Sequence, residues 1–222
     1  MRPKVVAFDI IETVFSLESM RPRLEGLGLP ASAMEIWFAS GLRDAFAIAL
    51  TDRFSPFPII LKGALLTLLH AHRLPLDEQR ASSVLEGMKS LDPHPDAHAS
   101  FKALSDGGFR LGAVSNGART STETLLKRAK LDGFIEQVIS VEDVSLSKPR
   151  PEVYRHVAHC VGVDLSEVAL TATHAWDTHG AKAAGLMTAF VARGQPYPDV
   201  MLTPDIQGQE LTDVANALLG LP

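Results

Sequence analysis

Five short apolar runs with β-branched members punctuate the chain: KVVAFDI (4–10), FRLGAVSN (109–116), FIEQVISVE (134–142), EVALTATH (167–174) and MTAFVAR (187–193). In the first, Val5, Val6, Ala7 and Phe8 follow one another without a polar break, the pattern of a strand covered on both faces. Segments of helical spacing separate the later runs: TSTETLLKRAKL, PEVYRHVAHCVGV and DTHGAKAAGL. Alternation of this kind predicts an α/β fold, a Rossmann-like parallel sheet with helices on both faces.

The text between the first strand and about residue 95 differs. SAMEIWFASGLRDAFAIALT, FPIILKGALLTLLHAHRL and LDEQRASSVLEGMKSL are all helical in pattern, with no strand among them. This predicts a helical domain over residues 16–95, inserted into a core built from 1–15 and 96–222. DPHPDAH (92–98) would be the return hinge, because paired prolines stiffen a linker.

A 222-residue chain with 46% hydrophobic residues has ample material for such a core. Its net charge of −5, with Lys and Arg scattered, offers no footprint for nucleic acid or anionic lipid. A small-molecule substrate is the expected partner, and a homodimer is left open. Cys160 is the single cysteine, which excludes an internal disulfide and a multi-cysteine metal site. The longest apolar stretch is broken by Lys62 and too short to span a bilayer. With a strand beginning so near Met1, the expectation is a chain without a signal peptide, placed in the cytoplasm.

Four strand ends carry chemistry. Asp9 and Thr13 follow the first, Ser115 and Asn116 the second, Lys148 the third and Asp177 the fourth. Carboxyl ends of parallel strands converge on one edge, so these residues are expected to meet. A carboxylate nucleophile needs a cation to keep it ionised, and Lys148 in SLSKPRPEVY suits that role. Thr13, Ser115 and Asn116 can orient it and hold a leaving anion, and Asp177 is the candidate base for cleaving the resulting ester. His174 and His179 have no third and fourth ligand at a sensible spacing for zinc.

The motifs DIIET, VSN, SKPRPEVY and THAWDTHGAKAAG, in this order, resemble the haloacid dehalogenase superfamily. The similarity is greatest to its type II L-2-haloacid dehalogenases. It implies a helical cap and an Asp9 nucleophile that attacks carbon in a dehalogenase or phosphorus in a phosphatase. Superfamily phosphatases protonate their leaving group with an acid two residues after the nucleophile, and that position is Ile11. They also hold Mg²⁺, often with a carboxylate four residues before the last aspartate, and that position is Thr173. A departing halide needs no proton. The resemblance therefore implies hydrolysis of short 2-haloacids to 2-hydroxyacids without a cofactor. A Mg²⁺-dependent phosphatase and a catalytically silent binding module are the alternatives.

Several positions depart from the family. The arginine expected after Trp37 is Phe38, with Arg43 five residues further on and rotated off that helical face. His174 stands for an asparagine, Ala172 for a serine and Glu12 for a glycine. Ile11, Trp37, Phe38, Arg43, His174 and Trp176 are the candidate substrate-binding residues, although both tryptophans also suit simple packing.

Overall fold

The computed structural model describes residues 2–222. The chain opens with β1 (Val5–Asp9) and a two-residue strand, β2 (Phe15–Ser16). Four helices follow: α1 (Arg21–Glu25), α2 (Ala33–Leu50), α3 (Phe57–Ala71) and α4 (Glu78–Leu85). A second short strand, β3 (Asp92–Pro93), pairs antiparallel with β2 and leads into α5 (Ala97–Asp106). Strand and helix then alternate through β4 (Arg110–Ser115), α6 (Arg119–Arg128), β5 (Ile135–Ser140), α7 (Pro151–Val161), β6 (Val168–Ala172) and α8 (Ala175–Ala184). β7 (Met187–Val191), β8 (Ile206–Gly208) and α9 (Leu211–Leu219) close the chain.

The six longer strands form one parallel sheet in the order β5-β4-β1-β6-β7-β8. This is the expected Rossmann-like sheet with one strand more, since β8 carries too few apolar residues to stand out. The stretch expected to be a hinge contributes β3, so a small two-stranded ladder joins the helical segment to the sheet. α4 stops earlier than its pattern predicts, giving way to a 3-10 turn over Glu86–Ser90 that contains Gly87, a poor helix former.

β1 shows why the sheet is covered on both sides. Val6 and Phe8 join an apolar cluster with Phe101 and Leu104 of α5 and Leu218 of α9, whereas Val5 and Ala7 join Tyr154 and Val157 of α7 and Ala181 of α8. Each Val, Leu or Phe among them that is fully buried stabilises the fold by about 1.5–3 kcal/mol. Trp37, Leu61 and Leu65 of α2 and α3 belong to the same cluster as Phe8, so the helical segment is packed onto the sheet continuously. Among the described residues no helix is long and apolar enough to cross a membrane.

The chain leaves β1 to build β4 and β5 on one side and β6 to β8 on the other. Its carboxyl end is therefore a topological switch point, where parallel sheets leave a crevice for ligands. Asp9 is the last residue of β1.

Candidate active site

Past Asp9 the backbone doubles back tightly. The amides of Val14 and Phe15 both donate to the Ile10 carbonyl at 3.0 Å, and the Glu12 amide donates to the Phe15 carbonyl at 2.7 Å. Glu12 takes a φ of 68°, the left-handed region that favours glycine. Its carbonyl meets His94 Nε2 at 2.9 Å and its carboxylate accepts the Leu17 amide at 2.8 Å, interactions that offset the strain. The tight return brings Thr13 back to Asp9, where Oγ1 donates to Oδ2 at 2.7 Å. Thr13 is held in turn by the Thr173 amide, 2.9 Å from Oγ1, and by Arg193, which donates to its carbonyl at 2.8 Å.

Lys148 arrives from the loop after β5, and its backbone amide donates to Asn116 Oδ1 at 3.0 Å. Its ammonium lies between two carboxylates, 2.8 Å from Asp9 Oδ1 and 2.6 Å from Asp177 Oδ2. All three groups are buried. Tyr154 donates to the other oxygen of Asp177 at 2.6 Å. A Cβ on Gly180 would lie 2.9 Å from the Tyr154 hydroxyl and 2.5 Å from Pro149, so the absence of a side chain there lets α8 approach Tyr154.

Burial works to raise the Asp9 carboxyl, but the Lys148 charge and the neighbouring His174 outweigh it and hold Asp9 well below the ordinary carboxylate range. Lys148 is drawn down by burial and pushed up more by Asp177 and Asp9, so it stays protonated. Asp177 is raised, because burial and the Asp9 charge together exceed the pull of Lys148. The result is an ionised, buried Asp9 at the carboxyl end of β1.

A small cavity of about 20 Å³ lies against Asp9, lined also by Ile11, Phe38, Leu42, Asn116 and His174. It shares Ile11, Phe57, Ser115 and Gly117 with a larger cavity of about 330 Å³ between α3 and the start of α6. The larger cavity has room for a small molecule beside Ile11, Phe57 and Leu61, next to the small one against Asp9. Ser115 Oγ accepts the Gly117 amide at 2.9 Å and leaves its own proton free to donate.

The structure thus brings together Asp9, Thr13, Ser115, Asn116, Lys148 and Asp177 from four strand ends, with Ile11, Phe38, His174 and Trp176 around the small cavity. It does not bring Trp37 or Arg43 there. Trp37 is fully buried in the helical segment, where its indole donates to the Leu61 carbonyl at 2.9 Å. Arg43 has a side chain 68% exposed and pairs with the adjacent Asp44, as its rotation off the Phe38 face requires. Asp177 reaches Lys148 but not the cavity lining, and both its oxygens accept hydrogen bonds. Tyr154, which also shapes the site, closes the SKPRPEVY segment that contains Lys148, and a tyrosine at a helix start carries no chemical signal of its own. Arg193 and its partner Asp96, 3.2 Å away, come from segments with no motif and carried no signal.

The donor set does not suit Mg²⁺. The Lys148 ammonium occupies the space between the Asp9 and Asp177 carboxylates, and Tyr154 takes the remaining Asp177 oxygen. Thr173, where a further carboxylate would help, donates its hydroxyl to the Val191 carbonyl at 2.7 Å. Among the described residues no three His, Cys, Asp or Glu side chains gather in a way that could hold a metal ion.

Comparison with known proteins agrees with this geometry. An (S)-2-haloacid dehalogenase of Pseudomonas sp. (strain YL) is 29% identical over 219 residues, covering 96% of this chain and 93% of the relative. A haloacetate dehalogenase of Moraxella sp. (strain B) is 26% identical, covering 91% and 92%. The solved structure of the L-2-haloacid dehalogenase of Xanthobacter autotrophicus superposes with a TM-score of 0.90 at 25% identity, over 99% of this chain and all of that one. A family model for haloacid dehalogenase-like hydrolases matches residues 3–185, the span that holds every charged group around Asp9. With its sheet, its strand-end carboxylates and that match in agreement, the chain belongs to the haloacid dehalogenase-like hydrolases.

Proposed function

We propose that this hydrolase converts (S)-2-haloacids to 2-hydroxyacids through an ester on Asp9. One observation carries the reading: an ionised Asp9, fixed by Lys148 and Thr13, faces a cavity whose neighbouring side chain is the apolar Ile11. Asp9 Oδ2 attacks the substrate's C2 as the carbon–halogen bond breaks and halide leaves with the bonding pair. No proton moves in that step, so nothing is lost by having Ile11 where a phosphatase has an acid. Ser115 and Asn116 supply donors for the substrate carboxylate or the departing halide, which must be met when it is expelled out of water. Water then cleaves the ester. Neither step needs a metal or an organic cofactor. In this reading residues 16–95 act as a cap domain over a core of 1–15 and 96–222, Phe38 and Phe57 forming the roof of the site.

Halide release from (S)-2-chloropropionate, followed with and without a strong chelator, tests the reading. Turnover of the S over the R enantiomer, unchanged by the chelator, is expected. No halide from any 2-haloacid, with Mg²⁺-restored phosphate release from a phosphoester, would overturn it. Arg43→Ala should keep kcat and KM within about twofold of wild type, as expected for an exposed residue. A large rise in KM would mean that the cap carries Arg43 to the substrate.

A further inference from the structure

A covalent ester on Asp9 must be cleaved by a water that gives up a proton, and the structure separates the two groups able to take it. Asp177 is fully buried, absent from the cavity lining, and engaged through both oxygens, by Lys148 at 2.6 Å and by Tyr154 at 2.6 Å. His174 lines the cavity. Its Nδ1 is buried without a hydrogen-bond partner and lies 3.4 Å from Asp9 Oδ2. The ring is held between two others, 5.3 Å from Trp176 and 5.9 Å from Phe38. Phe38 and His174, two departures from the family pattern, thus pack on each other. The cavity they share with Asp9, about 20 Å³, exceeds the roughly 10–15 Å³ that one water needs.

Resting on the haloacid reading, we infer that His174 is the general base that cleaves the Asp9 ester, with Asp177 acting on Lys148 as a positioning residue. Once Oδ2 is esterified, Oδ1 is the acyl carbonyl oxygen, with the Lys148 ammonium 2.8 Å away to stabilise the developing oxyanion. Water adds to Cγ while its proton passes to His174 Nδ1. The Cγ–Oδ2 bond then breaks, and the alkoxide of the 2-hydroxyacid takes the proton back from His174. Asp9 is left as a carboxylic acid with one oxygen from water and returns to the carboxylate by releasing the second water proton to solvent, the proton that accompanies the halide in the overall reaction. No redox partner or metal enters the balance. Histidine can both take and return the proton near neutral pH.

The experiment is a rapid-mixing measurement of bromide released from (S)-2-bromopropionate, with intact-protein mass, on wild type, His174→Asn, His174→Gln and Asp177→Asn. Both His174 variants should release one equivalent of bromide at close to the wild-type rate. They should then turn over ~100-fold more slowly while the protein carries the mass of the 1-carboxyethyl ester on Asp9. A merely structural loss would slow the first equivalent as well. Asp177→Asn should slow that first equivalent and accumulate no ester. An ester that accumulates in Asp177→Asn while both His174 variants keep full turnover would overturn the assignment and leave the haloacid reading standing. No bromide from the wild type would overturn that reading itself, and this inference with it.

Discussion

Asp9→Ala is expected to lower halide release from (S)-2-chloropropionate by at least ~10⁴-fold, within the range seen when an enzyme loses its nucleophile. Asp9 lies at the end of a fully buried strand and is held by two short contacts, to Thr13 at 2.7 Å and Lys148 at 2.8 Å. No neighbouring carboxylate can replace it, because Asp177 does not line the cavity and each of its oxygens already accepts a hydrogen bond. The variant should fold, since Lys148 retains Asp177 as a counter-charge at 2.6 Å. Steady-state halide release beside a thermal melt checks both halves. A folded Asp9→Ala protein with a tenth of the wild-type rate would mean that water attacks the substrate directly.

Lys148→Met should remove activity to a similar extent and also weaken the fold. The substitution leaves the buried Asp9 and Asp177 carboxylates without a counter-charge, and breaking a buried pair in this way costs about 3–5 kcal/mol. Without the ammonium the Asp9 carboxyl loses the charge that lowers it and the contact that orients it, so the nucleophile is both less ionised and less well placed. There is a pH signature. Lys148 is raised above its ordinary 10.5 in the folded protein, so its contribution is complete below that value and fades as pH climbs through the raised one. Denaturant unfolding at a series of alkaline pH values should show the wild type losing this stability and Lys148→Met lacking that loss. Equal stability of the two proteins at neutral pH would contradict the buried-pair account.

The sheet was legible in the sequence wherever burial on both faces leaves a continuous apolar run, as in Val5–Phe8 and Val168–Leu170. β8 was not, because a three-residue edge strand of sequence IQG is only partly covered and need not be apolar. The short α1 escaped for a related reason: it buries only Leu24 and begins around Pro22, too little for a period to emerge. Asp9, Thr13, Lys148 and Asp177 were legible as motif residues because chemistry fixes their spacing to strand ends. Tyr154 and Arg193 act by donating to atoms distant in sequence, Asp177 Oδ1 and the Thr13 carbonyl, and only the folded chain reveals those partners. The same holds for His174, whose meaning depends on where Asp177 and Phe38 end up around the cavity.

Whether Asp9 forms an ester can be read from the path of one oxygen atom. Enzyme in excess over (S)-2-chloropropionate is allowed a single turnover in heavy-oxygen water, and the peptide containing Asp9 and the 2-hydroxypropionate product are both weighed by mass spectrometry. If Asp9 is esterified and water cleaves the acyl carbon, the peptide gains the heavy oxygen at Asp9 and the product carries ordinary oxygen taken from the carboxylate. Heavy oxygen in the product, with the Asp9 peptide unlabelled, would contradict the account.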